Sequence, residues 1–272
     1  MTRFWPLAAL VLMAMPVAAS AADGDLALIA GAIRSGRLIQ ARIMLDRAVA
    51  DAAPADASEI AMLQAELALA EGRDGDAEPA FAALAAKAPG DCRATRGLGM
   101  AAVNLRHGDT AIKALLAAGQ ICPAGDWRIQ SALGAAYADA GRWKDSETAY
   151  AAALAVAGDD PMLLNNMAVA LIRQQRFAEA RALLARAHVR DPGSERILNN
   201  IDIAAGSAGE APVRAMSDSA ERWAERLTNA GYAAMLAGRR DDAKAWLSQA
   251  VAASPTYATI AARDLALLDS GK

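Results

Sequence analysis

Residues 127–160 read WRIQSALGAAYADAGRWKDSETAYAAALAVAGDD, and residues 161–194 repeat their pattern as PMLLNNMAVALIRQQRFAEARALLARAHVRDPGS. Six pairs of residues that lie 34 positions apart agree in size between the two segments. These pairs are Leu133 and Met167, Gly134 and Ala168, Tyr137 and Leu171, Ser146 and Ala180, Tyr150 and Leu184, and Ala153 and Ala187. Self-similarity at a fixed period of this length indicates an array of small structural repeats.

Each repeat is predicted to form two antiparallel helices, A and B, when Trp127 and Pro161 are taken as position 1. Small residues at positions 8 and 20 let the two helix backbones approach closely, whereas large residues at positions 7, 11 and 24 fill the remaining space. Proline, which often follows at position 32, cannot continue helix B. This arrangement of small and large residues resembles the tetratricopeptide repeat (TPR).

The same register continues on both sides of these two repeats. Repeats begin at Cys92 and Ser58, a weaker one begins at Ala22, and another begins at Ala224 near the C-terminus. Residues 256–268 resemble the extra helix that usually covers the last TPR repeat. We therefore expect an all-α, right-handed TPR solenoid of antiparallel helix pairs with a C-terminal capping helix, with about thirteen helices in total.

Residues 195–223 interrupt the pattern. Residues 195–205 fit helix A of a repeat, but the following segment GSAGEAPVRAMSDSAE shows no helix B core, and Asp202 stands where a small residue is expected. We expect an irregular turn here, then a long helix with Ser217 or Asp218 as its N-cap. The solenoid could bend or change its packing partner at this point.

The predicted domains are a signal peptide at residues 1–21, a TPR array of about five repeats plus a half repeat at 22–208, an irregular connection with the start of a long helix at 209–223, and the last repeat with its capping helix at 224–268. The signal peptide has Arg3 as its basic start, an apolar run at 4–17, and small residues before a cleavage site after Ala21. The alternative is an uncleaved membrane anchor, for which the apolar run is shorter than the ~20 residues of a typical span. We expect an exported, periplasmic chain without membrane insertion after cleavage.

Composition narrows the possible functions. Alanine supplies 74 of the 272 residues, which favours helices and disfavours strands. A net charge of −3 argues against a nucleic-acid partner, and two histidines make a multi-histidine metal site implausible. The segment 97–102 matches a dinucleotide-binding motif, but its residues are those that a TPR helix A requires. No acid–base or nucleophile arrangement is visible, so we expect no catalytic residues, no metal, no cofactor and no enzyme activity.

The helices A of a TPR array line its concave face, where positions 2, 5, 6, 9 and 13 can contact a partner. Asparagine offers a donor and an acceptor to the backbone of an extended peptide, and arginine suits carboxylates. The candidate partner-binding residues are Arg93, Arg96, Arg128, Asn165, Asn166, Arg173, Arg196, Asn199, Asn200 and Asn229. The alternative is that these are solvated polar residues on an otherwise apolar solenoid.

The two cysteines are predicted to form a disulfide. Cys92 is position 1 of a repeat and Cys122 is position 31 of the same repeat, so the antiparallel helices bring these two ends together. An exported location supplies the oxidising environment. The alternative is two buried free thiols.

Within the TPR superfamily, the chain resembles the TPR protein of the tight-adherence (Flp-type) pilus assembly system. The similar segments are residues 126–143, 159–187, Cys92 with Arg93, and 196–200. Members of that family are typically exported lipoproteins that help to assemble the pilus secretion machine, whereas this chain has no cysteine at the cleavage site. The resemblance implies an exported scaffold or adaptor with pilus-assembly components as partners. The alternative function is a periplasmic TPR factor for envelope or peptidoglycan assembly that regulates a partner enzyme.

Overall fold

The computed structural model describes residues 21–254 and 258–270. The predicted signal peptide lies outside the described residues, except for Ala21, at which the first helix begins. The described residues form fourteen α-helices and no strand. The helices are α1 (Ala21–Arg34), α2 (Leu38–Ala50), α3 (Ala57–Ala70), α4 (Asp74–Lys87), α5 (Cys92–Asn104), α6 (Gly108–Ile121), α7 (Trp127–Asp139), α8 (Trp143–Ala157), α9 (Pro161–Arg173), α10 (Phe177–Arg190), α11 (Glu195–Ala208), α12 (Ala220–Leu236), α13 (Arg240–Ala253) and α14 (Ala258–Asp269). None of these helices, within the two described ranges, is long and apolar enough to span a lipid bilayer.

Aspartates cap the N-termini of three helices A. The carboxylates of Asp91, Asp126 and Asp160 accept hydrogen bonds from backbone N–H groups in the first turns of α5, α7 and α9. An N-cap carboxylate satisfies an otherwise unpaired N–H group and interacts favourably with the positive end of the helix dipole. The local sequence therefore fixes where these helices begin.

The chain divides into two compact units, Met1–Leu84 and Ala85–Lys272, with the boundary inside α4. In unit 1, α1, α2 and α3 contact one another around a shared apolar core. This core contains Leu26, Ile29, Ala32, Ala41, Leu45, Ile60, Leu63 and Leu67.

In unit 2, helices α5 to α10 form three A–B pairs, and α12 and α13 form a fourth. The close approach within a pair depends on the small residue at position 8. A Cβ atom added at Gly134 would lie 2.8 Å from the ring of Tyr150 on the facing helix, closer than real Cβ contacts allow. The Ser146 hydroxyl donates a hydrogen bond of 2.7 Å to the Gly134 carbonyl, which confirms that the two backbones are in near contact.

Helix α11 has no helix B, and α12 packs directly against it. Asp202 pairs with Arg226 and Gly206 meets Ala230, both at a separation of 24 residues, so α11 and α12 run parallel. A Cβ atom at Gly206 would overlap the Ala230 carbonyl oxygen. Residues 209–219, which we call the strap, are non-helical and connect the end of α11 to the start of α12. Eleven extended residues reach about 36 Å, which is enough to return along the whole of α11.

The strap is held by an ion pair between the two parallel helices. Arg226 donates to both carboxylate oxygens of Asp202, at 3.0 Å from Nε to Oδ2 and 2.9 Å from Nη2 to Oδ1. Its Nη1 atom also donates to the Val213 carbonyl at 2.8 Å and to Asp218 at 2.9 Å. Asp202 is only 1% exposed, and burial raises the pKa of its carboxyl above the ordinary value, against the opposing effect of Arg226. Arg226 therefore occupies the place above position 8 that helix B fills in the regular repeats.

The N-cap of α12 is Ser219, whose hydroxyl accepts from the Arg222 N–H at 3.2 Å, so the expectation of Ser217 or Asp218 was wrong. Asp218 is engaged elsewhere, because its carboxylate accepts from the Ala215 N–H and from Arg226. Burial acts to raise the pKa of Asp218, but these two hydrogen bonds lower it below the ordinary value overall.

Gly206→Ala should lower the free energy of unfolding by about 1–3 kcal/mol, because overpacked helix interfaces shift their backbones. The matched control is Gly119→Ala in α6, where an added Cβ meets no atom of the described residues within 4 Å. There alanine should stabilise by about 0.5–1 kcal/mol, because it restricts the unfolded chain more than glycine does. Urea denaturation followed by circular dichroism measures both. Equal effects of the same sign would contradict the direct packing of α11 on α12.

Asp202→Asn should lower the free energy of unfolding by about 3 kcal/mol, because the largely buried Arg226 guanidinium then loses its closest counter-charge. Asp145→Asn is the control, since Asp145 pairs with Arg142 on the exposed surface at 2.7 Å. That change should cost less than about 1 kcal/mol. Chemical denaturation measures the free energy of unfolding of both variants. A similarly small decrease in both would mean that the Asp202–Arg226 pair does not hold the strap.

Candidate functional site

The inner layer of unit 2 consists of α5, α7, α9, α11 and α12. Helix α5 contacts α7, α7 contacts α9, and α9 contacts α11. The outer helices α6, α8, α10 and α13 contact inner helices but, over the described part of the chain, make no comparable contact with one another. Because the inner helices lie closer together than the outer ones, the inner layer forms the concave side of this unit.

Asparagines occupy the middle of three successive inner helices, and we call them the amide row. The row consists of Asn165 and Asn166 on α9, Asn199 and Asn200 on α11, and Asn229 on α12. The Asn200 Nδ2 donates to Asn165 Oδ1 at 2.7 Å, so amides of successive repeats bond directly. Asn165 is buried and Asn200 is half-buried, which places the bond between the inner helices rather than above them. Because Asn165 is at position 5 and Asn200 is at position 6, this hydrogen bond joins two different register positions.

Two amide atoms in the row lack partners. The Oδ1 of Asn199 and the Nδ2 of Asn229 are shielded from solvent and have no hydrogen-bond partner among the described residues. An unpaired buried polar group costs about 1–3 kcal/mol.

Two of the candidate arginines bind neighbouring inner helices. The Arg96 Nη1 lies 2.6 Å from the Asp126 carboxylate at the start of α7, and Arg173 at the end of α9 pairs with Asp139 at the end of α7. These ion pairs join successive repeats on the concave side. Arg96 and Arg173 therefore hold the inner layer together and already have carboxylate partners within the chain.

The other candidate arginines differ in their surroundings. The Arg128 guanidinium lies 4.9 Å from the centre of the Trp127 ring. Arg93 is half-buried, and Arg196 is exposed. Within the described residues, no three His, Cys, Asp or Glu side chains converge to hold a metal ion.

Apolar residues beside the amide row were missed by the sequence reasoning, which considered only polar side chains at the groove positions. Met162, Val169, Tyr232 and Leu236 are large apolar residues that remain exposed, Tyr232 to 45% and Met162 to 58%. Met162, Asn166 and Val169 are spaced by four and three residues on α9, so they share one face of that helix. The repeat register could have identified two of these apolar residues, because Val169 and Tyr232 hold position 9, which is one of the groove positions. The concave face thus alternates amide and apolar side chains.

The disulfide prediction is confirmed. Cys92 is the first residue of α5 and Cys122 caps the end of α6, and the structure joins them with a Cα–Cα distance of 4.9 Å. The bond joins the first residue of α5, the inner helix that also carries Arg93 and Arg96, to the end of α6 and so closes this helical pair.

Replacing both cysteines with serine should lower the free energy of unfolding by about 2–4 kcal/mol, because the bond restricts the unfolded chain. The measurement is thermal and urea denaturation of the variant beside the wild-type protein. Mass spectrometry after alkylation without reductant provides the independent check. Full alkylation of both thiols in native protein would contradict the bond.

The matching family model is described as tetratricopeptide repeat and covers residues 131–195. A comparison with curated protein sequences gave no match.

Solved structures match more of the chain. A thermophilic TPR protein from Thermus thermophilus is similar with a TM-score of 0.57 and 22% identity, over 68% of this chain and 98% of that one. A tetratricopeptide repeat protein from Parabacteroides merdae is similar with a TM-score of 0.55 and 11% identity, over 91% and 98%. The APC/C hetero-tetramer Cut9–Hcn1 gives a TM-score of 0.56 and 18% identity, over 88% of this chain and 41% of that one. At identities this low, the three matches show the fold alone. That fold confirms the all-α TPR solenoid predicted from the sequence.

Proposed function

We propose that the chain is an exported adaptor whose concave face in unit 2 binds an extended segment of a protein partner, and that it works in assembly of a tight-adherence pilus or a related secretion machine. The fold supports the general role, because TPR arrays present extended concave surfaces and act as protein-interaction scaffolds. The finer role rests on the amide row and on the resemblance of residues 126–143 and 159–187 to the pilus family.

The amide row carries the proposal. Packed helices lie about 8–10 Å apart, and an extended chain advances about 3.3 Å per residue. A peptide crossing α9, α11 and α12 therefore meets one inner helix at about every third residue. Asn166, Asn199 and Asn229 each offer amide groups to its backbone, which gives affinity without requiring a particular sequence.

The apolar side chains beside the row supply selectivity. Successive side chains of an extended peptide point to opposite sides. Those that face the concave surface meet Val169, Tyr232 and Leu236, which are exposed in the free protein. Their burial adds hydrophobic stabilisation to the backbone hydrogen bonds. The favoured partner segment is therefore extended, with apolar residues on the side that faces the groove.

Two features support export. The first 21 residues carry the signal-peptide pattern, and the Cys92–Cys122 bond is of the kind that persists in oxidising compartments. The periplasm of a bacterium with a pilus secretion machine meets that condition.

Asn166→Ala combined with Asn229→Ala should strongly reduce partner binding, because each hydrogen bond lost to the partner backbone costs about 1–3 kcal/mol. The assay is a pull-down from envelope extracts with the full exported chain as bait, and mass spectrometry identifies the retained protein. Gln249→Ala is the control, since Gln249 is exposed on the outer helix α13. Circular dichroism verifies that the double variant keeps its helix content.

A pilus-assembly component should be the retained protein, with binding lost only in the double asparagine variant. Unchanged binding in that variant would reject the amide row as the contact surface. Retention of an unrelated envelope protein through the same residues would keep the adaptor role and reject the pilus role.

A further inference from the structure

Helix α14 covers the last helix pair, and it does so in the same way as an inner helix packs on the pair before it. It contacts both α12 and α13. Ala261 and Leu268 are buried in the core that the three helices share, and Leu265 packs against that core. On α9 and α11, residues with this spacing of four and three hold positions 3, 7 and 10 and pack on the preceding pair. The register of α14 therefore begins at Thr259, one residue later than a period of 34 from Ala224 predicts.

This register places exposed apolar side chains of α14 on the concave side. Ile260 and Leu267 hold positions 2 and 9, which face the groove on the other inner helices. They are 47% and 46% exposed. Tyr232 and Leu236, at positions 9 and 13 of the neighbouring helix α12, are exposed as well. We call these four residues the apolar end of the groove.

The apolar end differs from the rest of the concave face at the same register positions. Position 13 is Leu236 on α12, whereas the four inner helices before it carry polar residues there. These polar residues are Asn104, Asp139, Arg173 and Ser207. Position 2 is Ile260 on α14, whereas the five inner helices before it carry Arg93, Arg128, Met162, Arg196 and Glu225. The concave side thus changes from mainly polar at α5 and α7 to apolar at α12 and α14.

The amide row ends before α14. Position 6, which is Asn166, Asn200 and Asn229 on α9, α11 and α12, is Asp264 on α14. The buried Asp264 carboxylate accepts hydrogen bonds from Arg263, at 3.0 Å from Nε and 2.9 Å from Nη2. An ionised carboxylate has no donor to offer to a peptide backbone, and this one already has a counter-charge. Binding at this end of the groove therefore depends on the apolar side chains.

We propose that the apolar end anchors the extended segment of the partner through two large apolar side chains that are separated by one residue. The inference rests on the function proposed for the concave face, because the same segment passes over the amide row. Tyr232 follows Asn229 by three residues on α12, so the anchor lies directly beside the row.

The spacing of the helices sets the spacing of the two anchoring side chains. Packed helices lie about 8–10 Å apart, and side chains on the same side of an extended chain are about 6.6 Å apart. One side chain of the pair therefore meets Tyr232 and Leu236 on α12, and the other meets Ile260 and Leu267 on α14.

The first step of the test places a photo-crosslinking amino acid at Leu267 in the full exported chain, in the cells that produce it. A second variant carries it at Val169, which is exposed beside the amide row on α9 and reports on the concave face itself. Ala262 is the matched control, because it is exposed on α14 but holds position 4, outside the groove positions. Mass spectrometry identifies the partner residue joined at each site. A peptide with the crosslinked sequence is then the probe for affinity measurements by fluorescence anisotropy.

Adducts at Val169 and Leu267 should join one partner segment, at residues about seven to nine apart, because three helix spacings separate α9 from α14. The adduct at Leu267 should lie within a pair of large apolar residues separated by one residue. Leu267→Glu and Leu236→Glu should each weaken the peptide at least about tenfold, and Ala262→Glu should leave its affinity unchanged. Circular dichroism verifies that all three variants keep their helix content.

The outcomes separate this inference from the function on which it rests. Adducts at Val169 without adducts at Leu267 above the level of Ala262 would overturn the apolar anchor and leave the proposed function standing. The absence of adducts at Val169 would reject the concave face and the anchor together. Polar partner residues at the Leu267 adduct, adducts joining two copies of this chain, or an affinity insensitive to both glutamate variants would also overturn the anchor.

Discussion

Close approach of two helix backbones at a small residue is the constraint on which unit 2 depends. Gly99, Gly134 and Gly231 each face a large side chain of the paired helix at a distance that leaves no room for a Cβ atom. Leu115, Tyr150 and Leu247 fill the resulting space and are buried. Dense packing of this kind requires a small residue at the same position of every repeat, since a shift of one residue would move a large side chain into the helix contact. The concave face follows, because stacked pairs of equal length align their inner helices.

The half repeat shows what happens when that constraint is lifted. Asp202 holds position 8 of α11, where a paired helix B would have collided with its carboxylate. Without helix B, α12 packs on α11 through Gly206, and Arg226 neutralises the buried Asp202. One substitution of charge for a small residue is thus linked to two features: the strap and the direct contact of α12 with α11. Because of that contact, Asn199 and Asn229 lie on neighbouring helices.

Regular features were predictable because they depend on local pattern. Position 8, the heavy alanine content and the positions of Cys92 and Cys122 were enough for the helix pairs and for the disulfide. The turn between helices A and B was also readable, since position 15 has a left-handed backbone that Gly141 and Gly238 adopt readily. Arg106 and Gln175 take the same conformation without being glycine, so the register fixes the turn even where the residue does not favour it.

Features that depend on the reach of long side chains were not predictable. Helical periodicity places Arg96 and Arg173 on the concave face, but it does not show that each binds an aspartate of the adjacent inner helix. The bond from Asn200 to Asn165 crosses from position 6 to position 5, which a strict row at position 6 does not include. The N-cap of α12 was misplaced because Asp218 is a good capping residue whose carboxylate is bound by Arg226 instead.

Hydroxyl-radical footprinting of the chain with and without its bound partner segment tests the central claim most directly. Tyr232 and Met162 are exposed on the concave face, and Leu116 is exposed on the outer helix α6. Binding of an extended segment across the inner helices should reduce oxidation of Tyr232 and Met162 severalfold and leave Leu116 unchanged, because only the first two side chains become covered. Unchanged oxidation of Tyr232 and Met162 in a saturated complex would show that the segment binds elsewhere, and it would contradict the concave face as the functional site.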